Sequence, residues 1–202
     1  MADPEARSPD LRALTRVLMR AQIAETAWSL VVARGFDDVT INEVAEATGI
    51  SRSSFFRYFS SKEEAVSVAL EAIGAEIATA LEERPQKEGT WEALRRALDA
   101  ATSNYAGNPA RALAQFKLIR ETPSLRAHQL ERQADWRRLI GPALAIRTGL
   151  DPDDVRVEAV VGAAIVALDT ATEGWARSGG ELDLTALIDE AFGAIADLGT
   201  DY

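Results

Sequence analysis

Apolar residues recur at intervals of three and four along most of this chain, the spacing of one face of a helix. Between Leu11 and Arg34 the stripe is Leu14, Val17, Leu18, Ala21, Ala24, Ala27, Trp28 and Val31, and Gly35 stops it. Thr40 and Glu43 form a capping box that opens a short helix with Ile41, Val44 and Ala45 on its buried face. Gly49 ends that helix and Ile50 plugs the turn. Ser51 caps a second short helix, Arg52 to about Phe59, with Phe55 and Phe59 four apart and facing inward. Ser61 and Glu64 form another box ahead of a helix from Lys62 to about Glu83, striped with Val66, Ala69, Leu70, Ile73, Ile77 and Leu81. Arg84-Pro85 ends it, because the residue before proline is pushed out of helical backbone.

The rest of the chain continues in the same period. Thr90 is read as the cap of a helix reaching about Tyr105, and Gly107-Asn108-Pro109 breaks it. A helix then runs to about Glu121, and a longer one starts at Pro123 with a bend expected at Gly141-Pro142. Asp151 is read as a cap and Pro152 as the first residue of a helix reaching about Arg177. Gly179-Gly180 ends it, and a last helix from Asp183 to Leu198 aligns Leu184, Leu187, Ile188, Ala191, Phe192 and Ile195. No region alternates as a strand does. The pattern predicts an all-α protein of about nine helices, with a head at residues 10–60 and a body at 61–202. Residues 1–9, polar and punctuated by Pro4 and Pro9, predict a disordered start without the apolar segment of a signal peptide.

Charge sharpens the division. The chain carries a net charge of −10, yet residues 1–62 hold 8 basic and 8 acidic residues, so all the excess acidity lies in the body. A groove contact depends on local charge, so the whole-chain value does not exclude nucleic acid. The longest apolar run, Val160–Leu168, is far too short to span a bilayer. A soluble, cytoplasmic protein is expected.

The head has the form of a helix-turn-helix, in which the second helix presents its first residues to base edges in the major groove. With Phe55 and Phe59 inside, its outer face is Arg52, Ser53, Phe56 and Arg57, with Ser54 at the edge. Arginine takes guanine edges bidentately, serine reaches bases or phosphates, and Phe56 packs on a sugar or a thymine methyl. Thr40, Tyr58 and Lys62 are candidates for phosphate contacts, as are Arg12, Arg16 and Arg20, four apart on the first helix. The opposing reading makes these arginines solvated surface and the whole chain a helical protein-interaction or adaptor module.

The order TINEVAEATGISRSSFFRYFSSKEEAV, preceded by ARGFDDV, resembles the tetracycline-repressor-type (TetR) regulators over about residues 20–66. The resemblance implies contacts to DNA from Thr40, Ser51, Arg52, Ser53, Ser54, Phe56, Tyr58 and Lys62. A single head covers little of a groove, so two heads about 34 Å apart in a twofold dimer, reading a palindromic operator, are expected; the resemblance adds repression, a homodimer interface through the last two helices, and a body cavity whose filling moves the heads apart. Two positions depart from the family pattern: Ser53 stands where glycine is frequent, and Phe56 where a tyrosine hydroxyl usually holds a phosphate. The FFRYF form gives a narrower resemblance to mycofactocin-associated regulators, which implies a long-chain acyl-coenzyme A as effector.

In the body, the small residues Ala159, Gly162, Ala163, Val166, Ala167 and Thr170 would permit close approach of a second helix, with Leu184, Ile188, Phe192 and Ile195 supplying apolar area. Trp91, Phe116, Trp136 and Trp175 either line a pocket for a small apolar or amphipathic effector or fill the core. Arg120, Arg126, Arg137 and Arg138 surround Trp136 in sequence and suit an anionic ligand. His128 is the one histidine and cysteine is absent, so a transition-metal site with nitrogen or sulfur ligands is not expected. No carboxylate pair, phosphate loop or nucleophile constellation points to an enzyme or a cofactor.

Overall fold

The computed structural model describes residues 11–68 and 72–198. The expected disordered start, the side chain of Arg12 and the stripe positions Ala69 and Leu70 lie outside the described residues. Within them, all regular structure is helical, in eleven segments: α1 (Leu11–Arg34), α2 (Ile41–Ala47), α3 (Arg52–Phe55), α4 (Lys62–Val68), α5 (Ala72–Glu83), α6 (Thr90–Ala97), α7 (Asp99–Gly107), α8 (Pro109–Glu121), α9 (Pro123–Thr148), α10 (Val155–Arg177) and α11 (Leu184–Leu198). These are the nine expected helices with two of them given in two parts. The expected helix over 62–83 is described as α4 and α5, and the one over 90–105 divides into α6 and α7. At that second division the Leu98 amide is shared between the carbonyls of Leu94 and Arg95, each at 3.3 Å. No helix among the described residues is long and apolar enough to cross a membrane.

The chain forms two compact units, Met1–Leu70 and Glu71–Tyr202. The expected boundary at residue 60 therefore moves, because α4 packs on α1 and buries Ala65 and Val66 within the head. Only the second half of the α1 stripe is core: Ala24, Ala27, Trp28 and Val31 are almost fully buried, joined by Ile23 from outside the predicted stripe. Leu14, Val17, Leu18 and Ala21, predicted to share that face, are exposed.

The body core draws on α5, α6, α7, α9, α10 and α11 and on Leu98 between α6 and α7, with Ile77, Leu81, Leu94, Ile140, Leu144, Ile165 and Ile188 at its centre. Two arginines fasten its periphery. Arg95, 3% exposed, donates to Asp189 at 2.5 Å, to Asp99 at 2.7 Å and to the Thr185 carbonyl at 3.4 Å, joining α6 to α11. Arg147 of α9 donates to the carbonyls of Arg84, Pro85 and Glu88, fixing the loop between α5 and α6.

Three local expectations change. Thr90 is the first helical residue of α6, and Gly89 precedes it without a side-chain cap. Asp154, and not Asp151, caps α10, accepting from the Arg156 amide at 2.9 Å. Asp151 instead closes the preceding turn: its carboxylate accepts from the Asp153 amide and its carbonyl from the Asp154 amide. Pro152 sits in that turn, outside the helix. The helix α9 continues through Pro142 as one element.

Candidate functional sites

The head is assembled from local hydrogen bonds that its sequence dictates. The Thr40 hydroxyl accepts from the Glu43 amide at 3.3 Å, and the Glu43 carboxylate accepts from the Thr40 amide and hydroxyl, both at 2.8 Å. Arg34 donates to its other oxygen at 2.7 Å. The Thr40 amide first, then its hydroxyl, then Arg34 hold the Glu43 pKa down at about 2. Gly49 closes α2 at φ +70°, a left-handed backbone that glycine adopts without steric cost. Ser51 then caps α3, accepting from the Ser54 amide at 3.1 Å.

Regular helix in α3 ends at Phe55, short of the expected Phe59. Beyond it the Arg57 and Tyr58 amides reach back three residues, to Ser54 and Phe55, tightening the chain into 3₁₀-like turns. Phe55 and Phe59 are buried as predicted, their rings 5.6 Å apart. Phe56 meets Phe55 edge-on at 5.7 Å and remains 45% exposed. Arg52, Ser53, Phe56 and Arg57 thus share the solvent side, with Thr40 and Ser51 also exposed and Ser54 and Tyr58 half-buried. Arg52 lies over the Phe56 ring, 5.6 Å from its centroid, and reaches Asn42 of α2 at a long 3.4 Å. Arg57 reaches the Ser54 hydroxyl at 3.3 Å. Asn42, which the sequence reading passed over, is thereby part of this surface.

Two expected phosphate contacts have other partners. The Lys62 ammonium donates to the Phe36 and Val39 carbonyls, the latter at 2.7 Å, and sits 4.0 Å from the Phe36 ring centroid. Two of its three donors are therefore used inside the head. Arg20 donates to the Tyr58 carbonyl and to Glu64, each at 3.1 Å, and lies over the Phe59 ring at 4.8 Å. Arg20 thus ties the end of the recognition segment to α1 and α4, and Lys62 ties the start of α4 to the loop between α1 and α2. Arg16 is exposed. The box expected at Ser61 and Glu64 is shifted: the Ser61 hydroxyl accepts from the Glu64 amide, while the Glu64 carboxylate accepts from Ser60.

In the body, α8, α9 and α10 line a half-open cavity of about 440 Å³. Phe116 and Arg120 line it, beside Leu113, Ile119, Leu130 and Arg126. Trp175 is not in the lining but backs it, 6.0 Å from Phe116, with Tyr105 5.3 Å from the same ring. The other two candidate tryptophans, Trp91 and Trp136, do not line this cavity. Trp91 lies tilted against Phe192 at 4.4 Å and donates to its carbonyl at 3.2 Å. Trp136 is core, packed against Gly74. Arg137 and Arg138 line a separate groove between α9 and α10.

The cavity also contains a polar set not foreseen from the sequence. Gln129 and Gln133, one turn apart on α9, both donate to Oδ1 of Asp169 on α10 at 3.1 Å. Burial, and then the neighbouring Glu173, push the Asp169 pKa up. The only prior signal was a four-residue spacing between two glutamines. His128, partly exposed, pairs with Glu131 at 3.2 Å.

Of the residues expected at a subunit interface, Ala159, Val166 and Thr170 are exposed and Gly162 and Ala163 half-buried on one side of α10. Ala167, Ile188 and Phe192 belong instead to the protomer's own core. Leu184 and Ile195 are half-buried against it.

Comparison with known proteins bears on both units. Residues 23–67 match the family of bacterial regulatory proteins, tetR family, and residues 88–198 match the MftR C-terminal domain. The chain is 31% identical over 161 residues to the HTH-type transcriptional regulator TcmR of Streptomyces glaucescens, covering 75% of this chain and 71% of that protein. It is 29% identical over 176 residues to the protein designated mycofactocin biosynthesis transcriptional regulator MftR in Mycobacterium tuberculosis, covering 87% and 86%. Its fold resembles that of Thermus thermophilus FadR, a TetR-family repressor solved with lauroyl-CoA, with a TM-score of 0.56 at 22% identity, covering 85% and 90%.

Proposed function

The chain belongs to the tetR family of bacterial regulatory proteins and has a body of the MftR C-terminal type, and from that premise we propose that it is a ligand-responsive, dimeric transcriptional repressor of a palindromic operator in the cytoplasm. The observation that carries the reading is the outer face of the capped α3 segment, where Arg52, Ser53, Phe56 and Arg57 project together over a buried Phe55–Phe59 pair. Arg52 and Arg57 read base edges; Ser51, Ser53, Ser54, Thr40 and Tyr58 set the register on the backbone. One such head covers little of a groove. Two heads of a twofold dimer, about 34 Å apart, match one turn of DNA and require a palindrome. The small-residue side of α10 supports the dimer.

The body cavity is the effector site in this reading. Its apolar walls with Arg120 and Arg126 suit an amphipathic molecule with an anionic end, such as an acyl-coenzyme A; the lauroyl-CoA in the Thermus thermophilus relative supports that class. Effector occupancy changes the affinity for DNA.

The test is selection of binding sequences from random duplex DNA at near-physiological salt, with the stoichiometry of the complex. A palindrome bound by a dimer, or a pair of dimers, with affinity falling as salt rises, is the expected result. Weak, salt-insensitive binding without enrichment, also in the presence of cell extract, would overturn it in favour of the adaptor reading.

A further inference from the structure

The effector cavity contains an acceptor that an unadorned acyl chain would leave unused. Asp169 lines it on α10, beside Gln129, Gln133, Thr172 and Glu173. Both of its glutamine bonds fall on Oδ1, so neither uses Oδ2. Among the described residues no cation pairs with this carboxylate; Lys117, Arg120 and Arg126 line the same cavity and stand apart from it. Glu173, one turn further along α10, adds negative potential on the same wall. Burial raises the pKa of Asp169, as befits a carboxylate whose charge is poorly compensated. A carboxylate placed only to join α9 to α10 would gain most from using both oxygens or from meeting one of the arginines. Here the amides fix its orientation and leave half its accepting capacity free. A plain hydrocarbon in the cavity would remove water from Oδ2 and offer nothing in return.

We infer that Asp169, held by Gln129 and Gln133, recognises a hydrogen-bond donor on the body of the effector, so that the effector class is a hydroxylated or amino-substituted amphiphile with an anionic end for Arg120 and Arg126. The inference rests on the reading of this cavity as the effector site. The donor is a hydroxyl or an ammonium, which share the chemistry Asp169 reads.

The test is titration calorimetry of the full chain with dodecanoate, a mid-chain hydroxy derivative and a mid-chain amino derivative, with lauroyl-CoA as competitor. At least one substituted chain binds about tenfold more tightly than dodecanoate, the gain of one hydrogen bond to a charged acceptor. A preference for the hydroxyl alone identifies a neutral donor; a preference for the amine identifies a cation. Asp169→Leu abolishes the preference and retains dodecanoate binding. Asp169→Asn, which keeps the shape should the leucine variant fail to fold, removes the preference for the amine selectively. If all three chains bind alike and lauroyl-CoA displaces them, the inference is wrong and the effector site stands. If neither the chains nor lauroyl-CoA bind, the inference and the site fall together.

Discussion

Gly74 lies flat against the indole of Trp136: a Cβ added there would stand 2.4 Å from Cδ1 and 3.0 Å from Cγ of the ring. Glycine to alanine inside a helix ordinarily stabilises by up to about 1 kcal/mol. In α5 the sign reverses, because the indole at that distance belongs to the packed core and must shift to admit the methyl. Gly74→Ala should cost about 1–3 kcal/mol, read as a lower denaturant midpoint with an unchanged slope. Trp136→Phe loses no hydrogen bond, since the Trp136 Nε1 has no partner among the described residues. Combined with Gly74→Ala it should recover part of the loss, a non-additivity that a double-mutant cycle detects.

Acid should loosen the head through Glu43. Its pKa falls from 4.5 in an unpartnered state to about 2 in the folded head, so the folded carboxylate holds its proton less tightly. A depressed carboxylate contributes stability above the unfolded value, and that contribution is lost as pH falls from about 4.5 towards 2. Asp154 at the start of α10, lowered from 3.8 to about 2 chiefly by Arg156, acts in the same direction in the body. Thermal unfolding followed across this window should show a declining midpoint. In Glu43→Gln the decline should be shallower and the midpoint at neutral pH lower; an unchanged acid dependence would remove Glu43 from the account.

Reading and bracing should separate by salt. Arg57→Ala should weaken operator binding by about 1–3 kcal/mol while non-specific binding changes little. Lys62→Met and Arg20→Met remove internal bonds and should lower the thermal stability of the head. Neither should alter the salt slope of DNA binding. A slope smaller by about 0.9 in Lys62→Met would instead assign Lys62 a phosphate.

On α10, two alanine neighbours in different settings distinguish interface from core. Ala163 is half-buried on the small-residue side, and Ala167 is 1% exposed within the core. Ala163→Glu should yield folded monomers in analytical ultracentrifugation that bind operator weakly. Ala167→Glu should yield little folded protein, since it places an unpaired charge in the core.

What was legible in the sequence was local. The capping residues Thr40 and Ser51, the turn at Gly49 and the inward Phe55 and Phe59 follow from rules spanning four or five residues, and each appears where it was read. Local rules also missed by a residue or more: Thr90 and Asp151 were read as caps, whereas Gly89 precedes α6 and Asp154 caps α10. Contacts with distant partners were out of reach: Arg20 and Lys62 resemble phosphate ligands by charge and position, and the Glu64, Tyr58, Phe36 and Val39 groups they bond in the head come from other turns of the chain. Trp91 and Trp136 were equally suited to lining or filling, and only packing against Phe192 and Gly74 decides for filling. Asp169 was one acid among many until α9 set two amides beside it.

The head keeps its main braces and its proposed readers on separate residues: Arg20, Lys62, Phe55 and Phe59 hold it together, while Arg52, Ser53, Phe56 and Arg57 face outward. On the proposed reading, replacing an outward side chain changes what is read and leaves the buried phenylalanine pair and the internal bonds of Arg20 and Lys62 in place. Such a head would change operator by single replacements, and the same property makes its outer face a register that can be rewritten by design.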